Sequence, residues 1–143
     1  MPYPEEMIAS MRTELTDNGV TELRTEEAVK AWLEANKDKT AMFVINSVCG
    51  CAAGAARPGI LLSLQGEVKP DTVATGFAGN DTGAINYVRS LAPQMPPSSP
   101  SVYLFKGGKP VSYVPRHVFE GGWPEGVAQH LQGEFAKHCA KVS

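Results

Sequence analysis

Three cysteines in 143 residues are too few, and odd in number, for a secreted scaffold stapled by disulfides. Charge of one sign is missing too. Thirteen basic residues against fifteen acidic ones leave a net charge of -2, so there is no basic field for nucleic acid or an anionic membrane. Long hydrophobic runs are absent: the longest uncharged stretch, Thr40 to Ala56, ends at 17 residues and is broken by Asn46, Ser47 and glycines. A second, Ser90 to Phe105, contains four prolines and cannot be a spanning helix. The opening Met1-Pro2-Tyr3-Pro4-Glu5-Glu6 has neither the basic nor the apolar region of a secretory signal. These absences predict a cytoplasmic protein with no membrane association, in a compartment where thiols stay reduced. What remains is ordinary for a globular chain, 43% hydrophobic and 20% charged, and residues 1–143 suit one domain.

Helical spacing of Met7, Ile8, Met11 and Leu15 predicts an N-terminal helix over Glu5 to Leu15, stopped near Asn18-Gly19. Val20 to Arg24 follows as a short strand, and Thr25 can cap a helix to about Asn36 with Ala28, Trp32 and Leu33 inward. Ala41 to Val48 is a continuous apolar run without alternation, the pattern of a strand buried on both faces. Ala52 to Gln65 reads as a helix kinked by Pro58, Thr72 to Phe77 as a strand, and Asp81 as the cap of a helix through Leu91. After the loop Pro93 to Pro100, Val102 to Phe105 and Val111 to Val114 form a hairpin around Lys106-Gly107-Gly108-Lys109. Pro124 opens a last helix carrying Val127, Leu131, Phe135 and Cys139 on one side. This order predicts an α/β fold, a thioredoxin-like mixed sheet flanked by helices, with an extra N-terminal helix.

The chemistry concentrates at Cys49-Gly50-Cys51, where the buried strand gives way to a helix. Unpaired N–H groups and the positive end of the helix dipole favour thiolate over thiol there. Cys49 at the N-cap, with its sulfur facing the N–H groups of Cys51 and Ala52, is the better nucleophile. Within one helix, residues two apart point about 200° away from each other, so a bond between the pair needs Cys49 off the helical path. Gly50 is expected to permit that swing through backbone angles closed to other residues. The resulting small ring is expected to be strained and easily reduced, an exchange couple rather than a staple.

The run Asn46-Ser47-Val48-Cys49-Gly50-Cys51-Ala52-Ala53-Gly54, with Ala56-Arg57-Pro58, resembles the signature of the bacilliredoxins, bacterial thioredoxin-like proteins with a CGC motif. Phe77-Ala78-Gly79, Pro97-Ser98-Ser99-Pro100-Ser101, Pro115-Arg116-His117, Glu120-Gly121 and His138-Cys139 extend the likeness over essentially the whole chain. The resemblance implies a thiol–disulfide oxidoreductase that removes bacillithiol from S-thiolated cytosolic proteins. Cys49 would attack and Cys51 resolve, or a second thiol would resolve in a one-cysteine route. It implies no bound cofactor, with bacillithiol as co-substrate, S-bacillithiolated proteins and small thiols as partners, and room for a reductase. Ser99-Pro100 stands where thioredoxin-like proteins place a cis-proline, which with Gly50 makes the expected substrate-binding set.

Three rival readings have their own features. One is protein disulfide isomerisation or general thiol–disulfide exchange by the same pair. Another is a non-catalytic redox-sensing module, which would react once and stop. The third is a metal-thiolate site from Cys49, Cys51, Cys139 and a histidine, but Cys-x-Cys is shorter than zinc spacing and His117, His130 and His138 are scattered. No metal ligands are therefore assigned. Arg57 reads as a solvated helix residue, Trp32 and Trp123 as packing groups, and Cys139 as a small core residue.

Overall fold

Thr40–Asn46 is buried at every position and forms the central strand, β2, because both faces of the sheet are covered. In the computed structural model, which describes residues 2–139, the elements run α1 (Glu5–Thr16), β1 (Thr21–Glu22), α2 (Glu26–Ala35) and β2. A π-helical turn (Ala52–Ala56) leads into α3 (Arg57–Ser63). There follow β3 (Thr72–Phe77), α4 (Thr82–Ser90), β4 (Ser101–Lys106), β5 (Lys109–Val114), a 3-10 turn (Arg116–Val118) and α5 (Pro124–His138).

Among the described residues the sheet has five strands in the order β1-β3-β2-β4-β5. β3 pairs parallel with β1 and β2, while β4 pairs antiparallel with β2 and β5. This is the thioredoxin-like mixed sheet that the element order predicts. Its alternation decides what each face carries. Met42 and Val44 point to a core with Leu15, Ile60, Leu131 and Phe135, contributed by α1, α3 and α5. Phe43 and Ile45 point to the other core, with Trp32, Ile85, Val88 and Tyr103, contributed largely by α2 and α4. The hairpin turns at Gly107 (φ 62°) and Gly108 (φ 77°), both in the left-handed region that a two-residue turn of this hand requires.

Several local expectations shift. Pro58 does not kink a single α-helix: the helical run from Gly50 to Ser63 widens into the π turn, where the Arg57 N–H donates to the Ala52 carbonyl five residues back. Proline leaves the Gly54 carbonyl without its usual donor four residues on, and the wider turn absorbs the defect. Asp81 stands at the N-cap of α4, but its side chain is not the cap. It accepts from the Phe77 N–H at 2.8 Å and pairs with buried Arg12 at 2.8 and 2.9 Å. On α1, Met7 is exposed and Arg12 takes a buried position among Asp81, Glu5 and Glu22. The hydrogen bond to Asp81 raises the pKa of Arg12 further, against the opposing effect of burial. An arginine in the core is tolerable only with such a fixed counter-charge. No helix among the described residues is long and apolar enough to cross a membrane.

Candidate active site

β2 ends at Asn46, and the chain then crosses from sheet to helix in three residues. A buried polar network fixes that crossing. The Asn46 side chain donates to the Met11 carbonyl at 3.0 Å, and its oxygen accepts from the Ser47 N–H at 2.8 Å. The Ser47 hydroxyl accepts in turn from the Cys49 N–H at 3.1 Å. Arg57 closes the network, reaching Asn46 Oδ1 at 3.0 Å, the Ser47 carbonyl at 2.9 Å and Glu14 at 2.8 Å.

Arg57 is thus not solvated. Its side chain is 4% exposed, because the helix turns that position toward α1, where Glu14 supplies the opposite charge. The N-terminal helix has a definite task here: Met11 and Glu14 both brace the loop that carries the cysteines.

Cys49 lies just off the start of the helical run. Its carbonyl accepts from the Ala52 and Ala53 N–H groups at 2.9 and 3.3 Å, and its sulfur accepts from the Cys51 N–H at 3.3 Å. The expected cap geometry holds for Cys51, while the Ala52 N–H goes to the carbonyl instead of the sulfur. Cys51 is already helical (φ -67°, ψ -26°), and the two Cα atoms are 5.3 Å apart. That separation lies inside the bonding range, and the pair forms a disulfide. Both cysteines are half-buried and Gly50 is exposed.

Gly50 does not use glycine-only angles, being absent from the glycines of positive φ. Nothing lies within 4 Å of where its Cβ would stand. The swing comes from Cys49 stopping short of the helix, so a side chain at position 50 would meet no left-handed backbone strain.

The cis Ser99–Pro100 bond lies at the expected place before β4, whose first residue pairs with Ile45 near the end of β2. Pro100 is buried and Ser99 half-buried. The Ser98 carbonyl accepts from Ser101 Oγ at 2.8 Å and from Arg89 at 3.2 Å, which holds this loop down.

A residue that sequence reading quoted without a role completes the site. Arg116, just past β5, places Nη2 3.2 Å from Cys49 Sγ. Its signals in the sequence are the Pro115-Arg116-His117 match to the family and its place after a hairpin that returns to the end of the sheet carrying the cysteines. Trp123, expected to pack, is 69% exposed at the N-cap of α5 behind Gly121 and Gly122, while Trp32 is buried as expected. Cys139 is half-buried against the α3–α5 core and belongs to neither thiol of the pair. Among the described residues no three His, Cys, Asp or Glu side chains gather as a metal-holding group.

This architecture can be set beside known proteins. The family model described as Disulphide isomerase matches residues 3–139. A bacilliredoxin of Shouchella clausii is 45% identical over 97% of this chain and 95% of its own length. The chain belongs to the bacilliredoxin family. A Cytophaga hutchinsonii bacilliredoxin is 48% identical over 91% of this chain and 95% of its own length. The fold likeness reaches further than the sequence: a Schistosoma mansoni thioredoxin superposes with a TM-score of 0.56 at 16% identity, over 83% of this chain and 97% of that one. This family member is a thiol–disulfide oxidoreductase working through a Cys-x-Cys pair.

Proposed function

We propose that the chain removes bacillithiol, or a similar small thiol, from S-thiolated cytosolic proteins, with Cys49 attacking and Cys51 resolving. The observation that carries this reading is the asymmetry of the pair. Cys49 Sγ faces the Cys51 N–H and the Arg116 guanidinium, whereas Cys51 already lies in the helix. Donors and positive charge favour a thiolate, and a thiolate is the species that attacks a disulfide.

In the first step the Cys49 thiolate bonds to the sulfur of the small thiol, the mixed disulfide of the substrate breaks, and the repaired protein leaves as a thiolate. Cys51 then loses its proton and attacks Cys49 Sγ, closing the Cys49–Cys51 bond and expelling the small thiol as its thiolate. Two electrons pass from the pair to the substrate, and a reductase or free thiol restores the dithiol. Exposed Gly50 leaves the approach open, and the cis Ser99–Pro100 loop supplies backbone against which an extended substrate segment lies.

A second reading, disulfide isomerisation, is favoured by the printed description of the matching family model. It uses the same attack on protein disulfides.

The test is mass spectrometry of Cys49→Ala and Cys51→Ala after incubation with an S-bacillithiolated protein. Cys51→Ala is expected to accumulate the small thiol on Cys49, and Cys49→Ala to carry and release none. Release by Cys49→Ala at the wild-type rate contradicts the assignment. Faster reshuffling of a scrambled-disulfide protein than release of bacillithiol selects the isomerase reading.

A further inference from the structure

The guanidinium of Arg116 is held on two sides before it meets sulfur. Glu120 binds Nε at 3.0 Å and the Ser99 carbonyl accepts from Nη1 at 3.3 Å, while the Arg116 backbone N–H donates to Ser98 Oγ at 3.1 Å. Nη2 is left to face Cys49 Sγ at 3.2 Å. Three segments distant in sequence, the cis-proline loop, the turn after β5 and the start of the helical run, therefore meet at one planar cation.

The other charges around Cys49 do not duplicate it. Arg57, from the helical run, is buried and matched by Glu14 of α1. The turn after β5 adds only His117, which is exposed, and Glu120, which is engaged with Arg116. The loop bearing Ser98, Ser99 and Pro100 carries no charge, and Cys51 contributes its N–H. Among the described residues, Arg116 is the full positive charge in contact with the sulfur.

We propose that Arg116 is a catalytic residue of the exchange, stabilising Cys49 as the attacking thiolate, a role that rests on Cys49 being the attacking thiol. As the sulfur's electron pair moves into the new S–S bond, the guanidinium loses its anionic partner and turns to the leaving protein thiolate. No oxidant or reductant enters at this step. An opposite charge this close lowers a thiol pKa by about one to three units, more than a single neutral N–H donor supplies.

The experiment follows alkylation of Cys49 against pH in a Cys51→Ser, Cys139→Ala protein, alone and with Arg116→Gln or Arg116→Lys. Arg116 is 45% exposed, so both variants are expected to fold, and thermal melts verify it. Arg116→Gln is expected to raise the titration midpoint by about one pH unit and slow labelling about tenfold well below it. Labelling well above the midpoint stays the same. Arg116→Lys is expected to recover most of the shift, since it keeps the charge. Superposition of the Arg116→Gln profile on its parent overturns the proposal, and so does an Arg116→Lys profile as displaced as that of Arg116→Gln. Alkylation reads the sulfur directly and needs no turnover. Release of bacillithiol by Cys49→Ala would sink the function while leaving the Arg116 shift intact.

Discussion

Cys49 and Cys139 are the same side chain at opposite ends of one sheet. Cys49 lies three residues past the end of β2 and precedes a helix, where the Cys51 N–H and Arg116 face its sulfur. Cys139 follows α5 as its C-cap, beside Thr40 at the first residue of β2, where carbonyls converge and the dipole is negative. Burial pushes the Cys139 thiol up, the nearby Asp71 carboxylate adds to that, and hydrogen bonding to Thr40 and the charge of Lys106 only partly offset it. A raised thiol pKa means that Cys139 is protonated at neutral pH and gains thiolate only as the solution becomes alkaline. On the proposed assignment, reactivity follows from which end of a helix a sulfur occupies and which charges meet it, not from cysteine content.

The largest expected effect separates the two thiols outright. Cys49→Ala should lower the rate of small-thiol release by about a thousandfold or more, while Cys139→Ala should leave it within about twofold, as measured by release from an S-thiolated protein. Comparable losses would erase the distinction.

The next largest concerns the brace under the cysteine end. Arg57→Ala strands Glu14 and the Ser47 carbonyl, and should cost about 3 kcal/mol in urea unfolding, with slower exchange because the loop before Cys49 loses its tether. At the Cys139 end, the exposed Lys137–Glu134 pair is worth little, and Lys137→Ala should leave the urea midpoint unchanged within error.

A smaller loss is expected between the two ends. A Cβ on Gly59 would stand 2.5 Å from Val127 Cβ and 2.9 Å from the Pro124 carbonyl, so Gly59→Ala forces α3 and α5 apart. It should destabilise by about 1–3 kcal/mol in the same assay and leave the Cys49 titration in place. A shifted titration would mean that helix packing, rather than local charge, sets the thiol.

Much of this was legible along the chain because it is local. The doubly buried strand, the cap position of Cys49 and the Gly107-Gly108 turn each depend on a few neighbouring residues, whereas the cis Ser99–Pro100 bond was legible only through the family resemblance. What was hidden depends on partners far away in sequence. Burial of Arg57 requires Glu14, separated from it by 43 positions, and the approach of Arg116 to Cys49 spans 67. Neither charge announces its partner, and an isolated arginine reads by default as solvated. Gly50 was misread for another reason. A glycine between two bonded cysteines suggests a strained backbone, whereas the site uses it as open space.

The most direct measurement is a single pH series of alkylation on reduced Cys51→Ser protein, with Cys49 and Cys139 quantified separately by peptide mass mapping. Cys49 is expected to label with a midpoint below the free-thiol value of about 8.5, and Cys139 with one above it, the gap being widest near neutral pH. Coincident midpoints, or Cys139 labelling first, would contradict the claim that position on the helix and the facing charges make Cys49 the attacking thiol.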